Sequence, residues 1–105
     1  MAYKLSFRIR RCYFDQIVAG TKDVEVRKRS PFWDCRAHAA RDYIVAGYQV
    51  VAVFVCGLEV HRRMVKSVLE YDAPCEVLGR EPSEQGKQDI GEGPVWGFHL
   101  GEVAP

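Results

Sequence analysis

The sequence has no long apolar run, and this absence excludes a membrane-spanning helix. Such a helix needs about 18 or more consecutive apolar residues, and the 105-residue chain contains no such stretch. The first ten residues alternate between apolar and polar side chains, whereas a signal peptide needs a continuous apolar segment. We therefore expect no membrane association and a cytoplasmic location. The length is that of one domain, which we place at residues 1–105.

The sequence also lacks the closely spaced cysteines that hold a metal. The four cysteines follow one another at intervals of 19 to 23 residues, and no histidine stands at metal-ligand spacing from a cysteine pair. A structural zinc site is therefore not expected, and no other metal or cofactor is indicated. Disulfides are rare in the cytoplasm, so Cys12, Cys35, Cys56 and Cys75 are predicted to be buried free thiols.

Net charge is almost absent, but the charges are unevenly distributed. Residues 1–41 hold ten Lys and Arg against four Asp and Glu, whereas residues 42–105 hold five against ten. A basic half of a small domain attracts phosphate and speeds association with anionic partners. Alternatively, the two halves neutralise each other across the folded surface, and charge alone does not separate these interpretations.

The first elements are a strand and a short helix. Residues 3–10 alternate with a period of two, which predicts a half-buried strand with a basic polar side. Phe14, Ile17 and Val18 form one apolar stripe of a helix. Gly20 ends this helix because glycine adopts the left-handed conformation without a Cβ clash.

The rest of the chain alternates strands with one further helix. Ser30-Pro31 starts a helix that runs toward Tyr43, and residues 49–56 form a strand buried on both faces. Residues 60–71 fit either a helical stripe or a hairpin partner. Residues 72–94 indicate a loop with one helical turn, and residues 96–101 a closing strand. Together these elements predict an α+β domain around a curved or barrel-like sheet.

A second strand follows Gly20 and carries the first candidate site. Val24 and Val26 alternate with Glu25 and Arg27, so the two charged side chains are expected to share one face. They either form an ion pair that organises the wall of a cleft or contact a ligand directly.

The order of strand, helix and G-x-K-x-x-E-x-R at residues 20–27 resembles the ASCH family of the PUA-like superfamily. Residues 13–20 look like the first helix of that family, and residues 95–101 look like its last strand. The similarity covers most of the chain, and residues 32–48 and 73–94 match least.

The resemblance implies a small β-barrel of about five to six strands, flanked by two helices from the N-terminal half. It implies a cleft between the first helix and the motif strand, with Lys22, Glu25 and Arg27 in it. Members of the family are associated with binding of RNA or nucleotides. The expected function is therefore an RNA- or nucleotide-binding module without a cofactor.

Two enzymatic activities of the family provide alternatives, with Lys22 as the catalytic residue. One is hydrolysis of acetylated cytidine by a lysine, a threonine nucleophile and a glutamate. Here Glu25 stands in the threonine position and Thr21 precedes the lysine, so this reading lacks its nucleophile. The other is cleavage of single-stranded RNA, in which the ribose 2′-hydroxyl attacks. A protein-interaction domain is a third alternative.

Further basic and aromatic residues are candidates for ligand contact. Trp33 directly follows the basic run at 27–29 and is predicted to stack on a base, whereas Phe32 is predicted to lie in the core. His61-Arg62-Arg63 is expected at a hairpin end. The candidate phosphate contacts are Arg8, Arg10, Arg11, Lys28 and Arg29.

Overall fold

The structure, a computed structural model, describes residues 2–105 as five strands and four helices. No helix in this range combines the length and the apolar composition needed to span a bilayer. In chain order the elements are β1 (Ala2–Arg8), α1 (Arg11–Ala19), β2 (Val24–Lys28), α2 (Pro31–Val45), β3 (Gln49–Cys56), β4 (Glu59–Tyr71), α3 (Pro74–Leu78), α4 (Glu84–Ile90) and β5 (Val95–Val103).

The five strands form one curled sheet in the order β1-β3-β4-β5-β2. β1 and β3 are parallel, and every other neighbouring pair is antiparallel. The pairing of β4 with β5 shifts register between Arg63 and Val65 and again between Val65 and Ser67. Such bulges bend a strand and increase its twist, so the sheet closes into a half-barrel with β1 and β2 as its edges. The predicted α+β fold with a barrel-like sheet is confirmed.

The core lies inside the half-barrel, where aromatic rings from three strands meet. Phe7, Phe54, Trp96 and Phe98 are all fully buried. Phe7 is stacked on Phe54 with ring centroids 5.3 Å apart, and on Trp33 of α2 with centroids 5.0 Å apart. Each such ring contributes a large apolar area and a preferred stacking geometry, so α2 is held firmly against β1.

Two helix ends fix the position of β2. Gly20 has a φ of 79° and ends α1, and its N–H donates to the carbonyls of the last turn. Ser30 caps α2 by accepting from the N–H of Trp33 at 3.2 Å, with Pro31 at the first helical position. Both predicted boundaries are confirmed, and β2 is therefore held between two defined helix ends.

The segment 72–94 differs from the predicted loop, because it contains two short helices. Glu76 accepts from the N–H groups of Asp72 and Ala73 at the start of α3, and Ser83 accepts from the N–H of Gly86 at the start of α4. Most glycines and prolines of this region lie at the ends of these helices, and Gly86 lies inside α4. For residues 60–71 the hairpin interpretation is correct, since they belong to β4.

Arg63 is buried, which contradicts its expected place at a hairpin end. The hairpin turns at residues 57–58, and Arg63 lies farther along β4 with only 7% of its surface exposed. Its guanidinium donates to the carbonyls of Gly101 at 2.6 Å and Ile17 at 3.3 Å, and to the carboxylate of Asp23 at 3.2 Å. Arg63 therefore ties β5 to the end of α1 and to the start of β2.

The cysteines are free, as predicted, but Cys12 and Cys35 are exposed rather than buried, and of the four only Cys56 packs against the core. Cys56 and Cys75 are half-buried. Cys12 belongs to α1 and Cys35 to α2, and each lies on the solvent-facing side of its helix. Cysteine spacing carries no information on which side of a helix a thiol occupies.

Gly97 is expected to be intolerant of any side chain. A Cβ at Gly97 would lie 2.7 Å from Cε2 of Tyr71 and 3.1 Å from Cγ2 of Val77. Since the Tyr71 hydroxyl is also bonded to His99 at 2.7 Å, the ring cannot move freely. Gly97→Ala should lower the free energy of unfolding in urea by about 1–3 kcal/mol.

Gly101→Ala is the matched control on the same strand. A Cβ there would meet mainly the flexible side chain of Lys66, at 3.1 Å. This change should alter the free energy of unfolding by less than about 1 kcal/mol. Equal destabilisation by the two substitutions would contradict the proposed tight packing of Tyr71 on β5.

Candidate functional site

A cleft of about 1060 Å³ lies between β2, the start of α1 and the segment that carries α3 and α4. Six Lys and Arg side chains line it, against three Asp and Glu. The charged residues are Arg8, Arg10, Lys22, Arg27, Lys28, Arg80, Asp23, Glu25 and Asp89. Five of the ten Lys and Arg of residues 1–41, together with Arg80, therefore lie at one concave surface.

Strand pairing explains why Glu25 and Arg27 point toward the interior of the half-barrel. Glu25 is directly opposite Phe98 on β5, and Arg27 is directly opposite Trp96. Residues directly opposite in an antiparallel pair share a face. Both charged side chains therefore lie on the core side of the sheet, and the shared face predicted for them is confirmed.

Glu25 is a buried carboxylate held by two cations. Its side chain is only 6% exposed. One oxygen accepts from Nζ of Lys22 at 2.7 Å, and the other accepts from Nε of Arg27 at 2.9 Å. A buried charge is tolerated when it is paired in this way, and loss of a partner is strongly destabilising. Glu25 thus positions both cations at the wall of the cleft.

Arg27 also links the two edges of the sheet. Its Nη2 donates to the carbonyl of Arg8 at the end of β1, at 2.9 Å. The guanidinium carbon lies 5.2 Å from the ring centroids of both Phe7 and Trp33. Within residues 2–105, Nη1 of Arg27 has no hydrogen-bond acceptor, so this nitrogen remains available to a ligand.

Lys22 has its own aromatic neighbour. Its ammonium lies 4.9 Å from the ring centroid of Tyr13 on α1, and both residues line the cleft. An ammonium over an aromatic face is attracted by the quadrupole of the ring. The motif lysine is therefore held between Tyr13 and Glu25 rather than free in solvent.

A bidentate ion pair joins the opposite walls of the cleft. Nε and Nη2 of Arg10 donate to the two carboxylate oxygens of Asp89 on α4, at 3.1 and 3.0 Å. The hydrogen bond and the charge of Asp89 raise the pKa of Arg10, and the same contact lowers the pKa of Asp89. Gln85 also donates to this carboxylate, at 3.2 Å. α4 is thereby fastened to the residue that precedes α1.

Arg29, a predicted phosphate contact, lies outside the cleft lining. Its Nε donates to Asp34 at 2.8 Å, and its Nη1 donates to Glu70 at 3.1 Å. Asp34 also accepts from the indole N–H of Trp96, at 2.7 Å. The hydrogen bonds from Arg29 and Trp96 lower the pKa of Asp34. Arg29 therefore joins β2 to α2, whereas Arg8, Arg10 and Lys28 do line the cleft.

Trp33 lines the cleft, and Phe32 is not in the core. The two rings of Trp33 and Phe7 are nearly parallel, with an interplanar angle of 5°. Phe32 is 54% exposed, and the guanidinium of Arg36 lies 3.5 Å from its ring centroid. The core assignment of Phe32 was wrong, because at the start of α2 it is Trp33 that turns toward the sheet.

The histidines do not assemble with the cleft residues. His99 is bonded to Tyr71 on the opposite face of the sheet, and burial lowers its pKa. In the described part of the chain, no group of three or more His, Cys, Asp and Glu is arranged to hold a metal ion.

Sequence reasoning missed three residues of the site. Asp89 and Arg80 belong to the segment interpreted as a loop, and Asp89 meets Arg10 across 79 positions of the chain. No local signal points to that contact. Tyr13 could have been considered from the sequence, because it belongs to the predicted helix directly before the motif. In the structure its ring contacts Lys22.

Comparison of the chain with protein-family models, curated proteins and solved structures finds no match.

Proposed function

We propose that this chain is a binding module for single-stranded RNA or a nucleotide, held in the cleft between β2, α1 and α4. The observation that carries the proposal is the arrangement around Glu25. A buried carboxylate holds Lys22 and Arg27 in fixed positions at the wall of a cleft with an excess of basic side chains. Fixed cations beside a concave surface favour an anionic ligand.

Phosphate groups of the ligand are bound by the guanidinium and ammonium groups around the cleft. Arg27 offers Nη1, and Arg8 and Lys28 extend the basic surface along β1 and β2. Arginine suits phosphate because its planar donors match phosphate oxygens, whereas lysine acts as a point charge. These contacts add affinity without adding sequence preference.

A base of the ligand has two aromatic side chains within reach. Trp33 and Tyr13 both line the cleft, on α2 and α1 respectively. Stacking on an aromatic ring contributes about 1–3 kcal/mol per base in single-strand binders and tolerates every base. The proposed module therefore combines charge with stacking, as single-stranded ligands require.

The amidohydrolase alternative lacks its threonine nucleophile at the motif position. Glu25 occupies the position of the threonine, and both of its carboxylate oxygens are already paired. For the RNA-cleaving alternative, Lys22 would have to act on the ribose while its ammonium is hydrogen-bonded to Glu25. No observation favours either reaction over binding.

The proposal is tested by fluorescence anisotropy with a labelled oligouridylate of about eight nucleotides, over a series of salt concentrations. About three phosphate contacts should give a slope near −2 for the logarithm of the association constant against that of salt. Lys28→Ala should reduce the magnitude of the slope by about 0.7. Arg62→Ala, an exposed arginine on β4 that does not line the cleft, should leave the slope unchanged.

Two outcomes of experiments with the same RNA would replace the proposal. If neither the oligouridylate nor a mononucleotide binds at low salt, the protein-interaction alternative takes its place. If RNA fragments appear with the wild-type protein and are absent with Lys22→Ala, the chain is an RNA-cleaving enzyme.

Asp89→Asn is expected to tighten binding of the oligouridylate by about threefold to tenfold. The carboxylate of Asp89 holds two donors of Arg10, so its neutralisation frees Arg10 for phosphate and removes a negative charge from the cleft. The anisotropy titration measures this change. Glu92→Gln, an exposed acid in the same region that does not line the cleft, is the control for net charge. Weaker binding by Asp89→Asn would mean that the ion pair is needed to shape the site.

A further inference from the structure

The free edge of β2 carries main-chain groups that no neighbouring strand uses. β2 is at the edge of the sheet, and β5 is its partner strand among residues 2–105. The N–H of Leu100 donates to the carbonyl of Asp23 at 2.8 Å, and the N–H of Arg29 donates to the carbonyl of Pro94 at 3.2 Å.

These two bonds fix which residues of β2 point outward. In an antiparallel ladder, only every second residue directs its N–H and C=O toward the partner strand. Asp23 and Arg29 point toward β5, so the odd-numbered residues between them do so too. Val24 and Val26 therefore direct their N–H and C=O groups away from the sheet.

The cleft runs along this free edge. All eight consecutive residues 21–28 line the cleft. Successive side chains of a strand point to opposite faces, so a cleft over a single face would contact only alternate residues. Because residues on both faces of β2 line the cleft, the cleft passes around the free edge of the strand. The outward N–H and C=O groups of Val24 and Val26 therefore face it.

The main-chain N–H and C=O of Val26 are unpaired within the described part of the chain. The residue is only 7% exposed, yet no strand, side chain or other backbone group within residues 2–105 bonds its main chain. Most main-chain polar groups at buried positions in proteins are paired. The edge therefore offers one donor and one acceptor at a nearly enclosed position.

We infer that the β2 edge reads a nucleobase, whose hydrogen-bonding edge pairs with neighbouring outward main-chain N–H and C=O groups of Val24 and Val26. The inference rests on the proposed function and names how that site recognises its ligand. The donors and acceptors that lie side by side on a base match a main-chain N–H and C=O on the same side of a strand. The positive charge of the cleft favours a base that carries phosphate over an extended peptide.

Amide exchange in the ¹⁵N-labelled full chain, followed by NMR with and without a nucleoside monophosphate, tests the inference. Exchange at Val24 or Val26, whichever N–H bonds to the base, should slow by at least about tenfold when the nucleotide binds. Ribose 5-phosphate, which lacks a base, should shift the side-chain Nε resonance of Arg27 without slowing either valine. The amides of Glu25 and Arg27, which point toward β5, are internal controls.

Three outcomes would overturn the inference or its basis. If the nucleotide shifts Arg27 Nε but leaves both valine amides unprotected, main-chain recognition is wrong and the proposed function stands. If an extended peptide slows both valine amides and nucleotides do not, the edge binds peptide. If neither nucleotide nor RNA changes any resonance of the cleft, the proposed function itself fails.

Val24→Pro gives an independent test of the same groups. The substitution removes one outward N–H, and proline is tolerated at the first residue of an edge strand. Affinity for the preferred nucleotide should fall about fivefold relative to Val24→Ala, with binding of ribose 5-phosphate unchanged. Equal affinities of the two variants for the nucleotide would overturn a role for the N–H of Val24. If the proline variant does not fold, the amide exchange result decides.

Discussion

Glu25→Ala is expected to lower the free energy of unfolding by about 3–5 kcal/mol, the largest effect on stability that we expect from a single side chain of the cleft. The substitution leaves Lys22 and Arg27 close together without the carboxylate that holds both. These side chains are only 18% and 22% exposed, so water replaces the lost partner poorly. Denaturation in urea, monitored by tryptophan fluorescence, measures the loss.

Glu59→Ala is the matched control for that experiment. Glu59 is also ion-paired to an arginine, Arg11, but its side chain is 59% exposed. Exposed ion pairs contribute little to stability, so this change should have only a fraction of the effect of Glu25→Ala. Similar losses in the two variants would show that burial of Glu25 is not what makes its pairing important.

Arg27→Ala is expected to weaken binding of the oligouridylate by at least about 30-fold, which corresponds to about 2 kcal/mol. The change removes the Nη1 donors, the contact with the Arg8 carbonyl and the cation beside Trp33. It also leaves Glu25 with Lys22 alone, so the remaining lysine is drawn further toward the carboxylate. Anisotropy at low salt, with the folded fraction measured in parallel, gives the effect on binding.

Arg27→Lys separates charge from geometry at the same position. Lysine keeps the charge beside Glu25 but has no planar donor fork to reach both Glu25 and a phosphate. Its affinity should lie between those of the wild-type protein and Arg27→Ala. An Arg27→Lys protein that binds as tightly as the wild type would mean that only net charge matters, and Arg27→Ala should then resemble the exposed control Arg62→Ala.

The N-terminal strand–helix–strand unit could be predicted because its signals are local. The alternation that predicts β1 and the helix stop at Gly20 depend on chain neighbours alone, although β1 ends at Arg8 and Arg10 already precedes α1. Ser30 and Pro31 likewise define the start of α2 through contacts within one turn. Val18 is the exception in this region, since it is 50% exposed although it was assigned to the apolar stripe.

Elements that depend on distant contacts could not be predicted in the same way. Residues 60–71 contain a helical stripe, and only pairing with β3 and β5 selects the strand. α3 and α4 are short and border glycines and prolines, so they lack the periodic signal of longer helices. Arg63 is buried because four carbonyl and carboxylate groups from other elements converge on it.

The wall of the candidate site that β2 forms could be predicted from the sequence, whereas the wall that α4 forms could not. The alternation of Val24 and Val26 with two charged residues placed Glu25 and Arg27 on one face before any contact was known. The second wall is formed by α4, and its ion pair from Asp89 to Arg10 joins residues 79 positions apart in the chain. A surface ion pair between distant segments leaves no periodicity in either segment.

The location of bound RNA tests the central proposal most directly. An oligouridylate that contains 4-thiouridine can be photocross-linked to the wild-type protein, and the modified residue can be identified by mass spectrometry. We expect cross-links at Trp33 or Tyr13, the aromatic residues that line the cleft, and their loss when unlabelled RNA competes. Cross-links confined to the exposed Phe32 and Tyr48, outside the cleft, would contradict the proposal.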